Sequence, residues 1–381
     1  MSSMFEKAHR VRSQTIKGLI HVFRASNIKH RASISLLFYF LLVTAHGQTR
    51  IELQAAPGFV WAHRGPVAHL APARPLWLAA SYMPARWHRA PGLERYRQAR
   101  FGATLGYIHY RFSQVLGQSL APVLFFENQP RRWWFYRISA GAAFNSHAYD
   151  LNDNPFNTAL GGPISGCLQM QVGTHARLGK IYLRAGIQLT HQSNGAWRLP
   201  NLGLNIPGAF IALGLNRPTT STPLPELAPD STLRPYWSLN LIASASVKAA
   251  DIHPAPIYIP TMLRVEAARR LNAVSAITAG LDIIHNPALP ADYTVIGKPH
   301  AFPLRIGISA GHDWYLAQQI VITTQLGAYA YNPYPTVHKR LYQRYGIRLR
   351  AAKRLSYGIW LRAHLGQADC FEWAVQYRVK G

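Results

Sequence analysis

The sequence predicts an all-β protein, a transmembrane antiparallel β-barrel of about 12 to 16 strands. The first observation is alternation: from residue 54 onward, short segments carry apolar residues on one face and Arg, Gln, Ser or Thr on the other. The second is a set of aromatic residues near segment ends, such as Trp133, Trp134 and Tyr136, of the kind found at membrane–water interfaces. No segment after residue 47 approaches the roughly 18 consecutive apolar residues of a spanning helix, so strands are the expected spanning elements.

Sixteen segments have the length and the β-branched or aromatic content of barrel strands, and helical periodicity is nearly absent. The candidate strands are 58–63, 74–82, 101–110, 120–127, 133–143, 166–178, 180–193, 207–215, 236–247, 257–269, 274–284, 304–312, 319–331, 345–352, 355–365 and 371–377. Because short runs are easily over-counted, this set gives the upper end of the predicted strand number.

The first 47 residues have the composition of a secretory signal peptide. Residues 1–33 carry seven Lys or Arg against Glu6 alone, and residues 34–43 form an apolar core. Small residues at Ala45 and Gly47 occupy the positions that a signal peptidase reads, so we expect cleavage before Gln48. The apolar core is too short to span a bilayer as a helix. The sequence therefore predicts export.

The mature chain, residues 48–381, is predicted to form the outer-membrane barrel. Residues 54–215 carry the candidate site described below, and residues 235–381 supply additional strands. Between them lies a Pro- and Thr-rich loop from Arg217 to Pro235, which we interpret as a seam between two sets of strands. The oligomeric state stays open at this point.

The chain has a formal net charge of +26 at pH 7, which suits a phosphate-rich partner. An anionic lipid surface accounts for that charge together with the export signal. A nucleic-acid partner is not expected, since it leaves the export signal unexplained and no motif of the common binding modules is present. The two cysteines, Cys167 and Cys370, are too few for a disulfide scaffold or a metal site. We therefore expect no cofactor and no metal ion.

The candidate catalytic residues stand at the end of one alternating segment. His191 and Ser193 continue the face formed by Leu183, Ile187 and Leu189, because side chains two residues apart share a face of a strand. In a membrane barrel this apolar face points to lipid. A histidine there can act as a general base for the serine hydroxyl, which is the pairing needed for attack on an ester.

Loop lengths predict which end of the barrel holds this pair. A tight turn at Arg177 to Lys180 precedes the strand, whereas residues 145–164 form a long polar loop rich in Asn and Asp. In outer-membrane barrels the short turns face the periplasm and the long loops face outward. His191 and Ser193 are therefore expected at the outer leaflet.

The run from His191 through Gly195, followed by Pro200-Asn201 and Gly203, resembles the lipid A 3-O-deacylases, which belong to the acyloxyacyl hydrolase family of outer-membrane β-barrel esterases. The specific resemblance covers about 15 to 25 residues, and residues 54–215 have a comparable order of strands. It implies that His191 is the base, Ser193 the nucleophile and Asn194 a donor to the oxyanion. The implied activity is hydrolysis of an acyl ester of lipid A, at position 3.

Asn205 departs from the pattern of the family, whose short members have a glutamate at this spacing that completes a Ser-His-Glu triad. An asparagine still accepts a hydrogen bond from the imidazole N–H and holds its tautomer. It does not stabilise the charged imidazolium as a carboxylate does. We therefore expect Asn205 to orient His191, with slower turnover than a carboxylate would give.

Neighbouring residues complete the predicted site. The backbone N–H of Gly195 is a second candidate oxyanion donor. Trp197 is expected to anchor the loop at the membrane interface, and Arg198 to contact a lipid A phosphate. The sequence leaves two alternatives: a non-catalytic outer-membrane barrel, such as a porin, adhesion or assembly protein, or a soluble exported β-sandwich that binds acidic glycans.

Overall fold

The computed structural model describes residues 50–84, 96, 99–131, 133–216, 234–250, 255–294, 302–334 and 340–380. The predicted signal peptide and most of the loop from Arg217 to Pro235 lie outside the described residues. Within the described part, no helix has the length and apolar character needed to cross a membrane. The regular structure is almost entirely antiparallel strand.

The first eight strands close into a barrel. Each strand pairs with its sequence neighbour, and the first strand pairs with the eighth, with Ile51 opposite Leu215. The strands are β1 (Arg50–Pro57), β2 (Leu76–Met83), β3 (Arg100–His109), β4 (Gln118–Arg131), β5 (Trp134–Asn145), β6 (Ile164–Leu178), β7 (Ile181–Ser193) and β8 (Leu204–Asn216).

The remaining strands close a second barrel of eight, in which β9 pairs with both β12 and β18. Its strands are β9 (Tyr236–Ser246), β12 (Thr261–Arg270), β13 (Ser275–His285), β14 (Leu304–Tyr315), β15 (Ile320–Tyr331), β16 (Leu341–Arg350), β17 (Leu355–His364) and β18 (Gln367–Lys380). Between β9 and β12, the short strands β10 (Lys248–Ala249) and β11 (Ile257–Tyr258) pair with each other. A helix, α1 (Leu289–Thr294), follows β13.

Two predictions about the strands need correction. The additional strands do not enlarge one barrel of about 12 to 16 strands but close on themselves. The first strand is β1, whereas residues 58–63 form no regular strand and only extend beside the start of β8. The sequence missed β1 because its outward face consists of Ile51, Leu53, Ala55 and Pro57, with one β-branched residue and no aromatic residue.

The interior of both barrels holds buried charged residues beside buried apolar ones, such as Phe135 and Trp360, while the outward faces are mostly apolar. In the first barrel, Arg137 donates to Glu127 at 2.8 and 3.0 Å, and Arg184 lies 2.9 Å from the same carboxylate. In the second, Arg344 pairs with Glu372 at 2.7 Å. Eight strands leave an interior just wide enough for such side chains. The predicted alternation is confirmed, with its apolar face outside.

Most long connections lie at one end of each barrel. In the first barrel, β7 ends at Ser193 among residues 58–75, 110–117, 146–163 and 194–203. The opposite end has the tight turn at Gly179, although the connections from Met83 to Arg100 and from Asn216 to Tyr236 at that end are also long. The site-bearing end is therefore the loop-rich one, as the sequence predicted.

Candidate active site

His191 and Asn205 are directly opposite each other on the paired strands β7 and β8. Nδ1 of His191 lies 2.7 Å from Oδ1 of Asn205. A carboxamide oxygen only accepts, so Nδ1 carries the proton and donates it in this hydrogen bond. The lone pair of the neutral ring is then on Nε2, which is the protonation state a general base needs.

Ser193 follows on the same outward face and pairs with Gly166 of β6. It is 5% exposed, in contrast to Ile187 on the same face, which is 68% exposed. A Cβ built on Gly203 meets Cε1 of His191 at 3.3 Å and Cβ of Ser193 at 3.4 Å. The two side chains thus converge on the space that Gly203 leaves empty, although within the described residues no hydrogen bond joins them directly.

The turn after Ser193 is held by two hydrogen bonds from Asn194. Its backbone N–H donates to Oδ1 of Asn201 at 2.8 Å, and its side-chain Nδ2 donates to the carbonyl of Arg198 at 2.7 Å. Gly195 then takes φ +64°, a left-handed conformation that favours glycine. Its backbone N–H makes no hydrogen bond to any residue that the structure describes, which leaves it available as a donor.

Trp197 and Arg198 continue this turn. The Trp197 ring packs against Gly162, whose added Cβ would lie 2.9 Å from it, and Trp197 is half-buried there. Arg198 is exposed. The N–H groups of Asn152 and Asp153 donate to Asp150 and hold the pKa of its carboxyl below the usual range, with a smaller contribution from Arg198.

Residues inside the barrel support the site, and sequence reasoning missed them. Gln192 is fully buried and accepts a hydrogen bond of 2.5 Å from the hydroxyl of Tyr110. On the loop side, the N–H of Gly203 donates to the carbonyl of Ala159 at 3.1 Å. The inward position of Gln192 follows from the sequence, because Gln192 lies between the outward-facing His191 and Ser193 and successive side chains of a strand point to opposite faces.

An open groove of about 800 Å³ lies on the outer face of the barrel, on the same face as His191. Its apolar lining includes Phe59, Trp61, Met170, Ile187, Leu189, Pro207 and Ala209. Trp61 is tied to the site, because its N–H donates to the carbonyl of Asn205 at 2.9 Å. The groove extends along the outward face of β7 as far as Leu189, which is two residues before His191.

Two protein-family models match this chain, one over each barrel. Residues 77–213 match lipid A 3-O-deacylase (PagL), and residues 237–381 match the acyloxyacyl hydrolase C-terminal domain. The chain belongs to the lipid A 3-O-deacylase family. Membership in this acyloxyacyl hydrolase family implies an acyl-ester hydrolase that acts on lipid A in the outer membrane. The strands beyond residue 235 thus have a family domain of their own.

Solved structures give a weaker comparison, and no curated protein matches the sequence significantly. The P. putida toluene transporter TodX is 11% identical over 88% of this chain and 91% of its own, with a TM-score of 0.19. A mutant of the Rh. blastica porin is 10% identical over 87% and 99%, also at 0.19. The Acinetobacter baumannii outer membrane protein Omp33 is 7% identical over 88% and 99%, at 0.17. TM-scores this low do not establish a shared fold or function.

Proposed function

We propose that this protein removes the acyl chain esterified at position 3 of lipid A by a serine/histidine mechanism. Ser193 is the nucleophile, His191 the general base, and Asn205 the residue that orients the imidazole. The single observation that carries this assignment is the 2.7 Å hydrogen bond from Nδ1 of His191 to Asn205, since it leaves Nε2 free to accept a proton.

The reaction has two steps. Oγ of Ser193 attacks the ester carbonyl carbon while its proton passes to Nε2 of His191. The bond from that carbon to the sugar oxygen then breaks, the sugar oxygen takes the proton from His191, and the acyl group stays on Ser193. In the second step, a water gives a proton to His191 and attacks the acyl-serine, which releases the fatty acid and restores the serine hydroxyl.

The negative charge on the carbonyl oxygen needs a donor that is already in place. The N–H of Gly195 is that donor in our proposal, and Asn194 fixes its position through Asn201 and Arg198. A donor of this kind contributes roughly 3 kcal/mol of transition-state stabilisation. The remaining N–H of the Asn194 carboxamide is a second candidate.

The substrate is oriented by groups on the outer surface. The acyl chain lies along the apolar groove beside β7, Trp197 anchors the loop at the interface, and exposed Arg198 contacts a phosphate of lipid A. We further propose that the protein reaches the outer membrane by export and cleavage near Gly47 and Gln48. This arrangement lets a substrate stay in the outer leaflet while its ester meets Ser193.

The test is mass spectrometry of lipid A from cells that make the wild type, Ser193→Ala or His191→Ala. We expect loss of the acyl chain at position 3 in wild type and an unmodified profile with either variant. Thr261→Ala, which removes an exposed outward hydroxyl from the second barrel, is the control and keeps wild-type activity. Equal profiles for wild type and Ser193→Ala would overturn the assignment.

A further inference from the structure

Phe371 of the second barrel packs against the candidate active site of the first. A Cβ built on Gly195 would lie 2.3 Å from Cδ2 of the Phe371 ring, and one built on Gly166 would lie 3.1 Å from its Cζ. Gly166 is the residue paired with Ser193. One aromatic ring from β18 thus covers both the turn after the nucleophile and its neighbour on β6.

Two residues near this contact have an unusual burial pattern. Residues on the outward face of a membrane barrel are normally exposed to lipid, yet Ser193 is 5% exposed. Phe371 itself faces outward from the second barrel and is half-buried, whereas Trp373 on the same face of β18 is 60% exposed. Phe371 is thus less exposed where it meets Gly195 and Gly166, and Ser193 is also enclosed by Gly203 of its own barrel, whose added Cβ would lie 3.4 Å from that of Ser193.

A second contact joins the barrels one residue further along the turn. Ala196, with φ +58°, accepts a hydrogen bond of 2.9 Å at its carbonyl from the N–H of Ala249. A left-handed conformation is unfavourable for alanine because of its Cβ, so this hydrogen bond helps to hold the residue in place. Both contacts act on the turn that carries the N–H of Gly195.

We propose that the second barrel completes the active site of the first, with Phe371 as a positioning residue that holds the oxyanion turn at Gly195. The inference rests on the proposed function and adds to it a residue from the other barrel. In this proposal Phe371 takes no part in proton transfer. It acts by fixing the N–H of Gly195 where the carbonyl oxygen of the ester develops charge.

The second barrel does not repeat the His-x-Ser motif of the first, although it has a Ser–His pair of its own, in which Oγ of Ser275 lies 2.7 Å from Nε2 of His312. No His-x-Ser sequence occurs in residues 235–381, and in the whole chain only His191-Gln192-Ser193 has this form. The residue that ends β17, His364, is buried and its Nε2 is 2.8 Å from the hydroxyl of Tyr329. In our proposal the nucleophile belongs to the first barrel, and the second barrel supports it.

The experiment compares Phe371→Ala, Phe371→Leu and Trp373→Ala in the full chain, with purified lipid A in detergent as substrate. Folding is checked first by heat-dependent gel migration. For Phe371→Ala we expect kcat to fall about tenfold, while KM stays within about twofold of the wild-type value. An oxyanion donor contributes about 10²- to 10³-fold to kcat, and a displaced donor loses part of that contribution. Phe371→Leu retains an apolar contact and recovers most of kcat. Trp373→Ala keeps wild-type kcat and KM.

A second readout uses an alkyl fluorophosphonate, which labels an activated serine without needing lipid A. Labelling of Ser193 should slow in Phe371→Ala in parallel with kcat, since its phosphoryl oxygen needs the same donor. Ser193→Ala gives the unlabelled background. This readout also covers the case in which a variant binds lipid A poorly.

The outcomes separate the two proposals. Wild-type kcat in Phe371→Ala, with Ser193→Ala inactive, overturns the positioning role and leaves the proposed function standing. An effect confined to KM, or an equal loss in Trp373→Ala, also overturns it, since neither requires the Gly195 turn to move. A folded wild type that hydrolyses no lipid A and reacts with no fluorophosphonate overturns both proposals.

Discussion

His191 and Asn205 form a cross-strand pair in which the imidazole Nδ1 lies 2.7 Å from the amide oxygen. The pair sits at the ends of β7 and β8, where a hydrogen-bonded ladder fixes both backbones. An amide oxygen holds the ring tautomer but carries no net charge. The geometry of a triad is thus present with a neutral third member.

The first prediction concerns this third member. Asn205→Ala should lower kcat about 10- to 100-fold, because the ring loses its orientation and part of the contribution of general-base catalysis. Asn205→Glu should retain or raise kcat, since a carboxylate also stabilises the imidazolium that forms when Ser193 attacks. Both are measured as release of fatty acid from lipid A. An unchanged rate in Asn205→Ala would assign the orienting role to another residue.

The second prediction concerns Gly203, whose missing side chain leaves space between base and nucleophile. Gly203→Ala places a methyl group 3.3 Å from Cε1 of His191, in the space that the ester has to enter. We expect kcat/KM to fall by about tenfold or more, as misplacement of reacting groups usually does. Gly179→Ala is the matched control, because Gly179 also has positive φ but its added Cβ meets nothing within 4 Å. Equal effects of the two changes would mean that backbone strain alone is responsible.

The third prediction tests the outer groove. Ala209→Leu narrows it on the strand beside β7, so hydrolysis of long acyl chains should slow while that of short chains is retained. The expected change is about 10-fold between long and short chains, as a few methylene groups in an apolar site are worth roughly 1 to 3 kcal/mol. Ala140→Leu, on the outward face of β5, is the control and should leave the preference unchanged. A uniform loss across all chain lengths would contradict an acyl-binding role.

The fourth prediction concerns the interior of the first barrel. Glu127 is fully buried between Arg137 and Arg184, so Glu127→Gln leaves buried positive charge uncompensated. The free energy of unfolding should fall by about 3 to 5 kcal/mol. Urea unfolding in lipid vesicles measures it, with Asp153→Asn in an exposed loop as the control that loses the same charge. A change below about 1 kcal/mol, the range of exposed pairs, would show that the interior charges are solvated.

Alternation along the sequence predicted most of the strands and the shared face of His191 and Ser193, although it missed β1. Alternation needs only the chain's own order, because side chains two residues apart share a face. This placed His191 and Ser193 together on the outward face of β7, as the structure has them. Asn205 was singled out by the family resemblance, because it stands where the short members have their glutamate, and the antiparallel register brings it opposite His191.

Tertiary contacts alone show where the barrels close and which residue of the second barrel packs against the site. Closure depends on which distant strand edges pair, β1 with β8 and β9 with β18, and no local pattern encodes that choice. The same holds for Phe371, which lies far from Ser193 in the chain and reads locally as one more outward-facing aromatic. Contacts between outward faces form only when two complete barrels pack against each other. The position of Phe371 beside Gly195 therefore depends on the shapes of both barrels and cannot be predicted from any one segment.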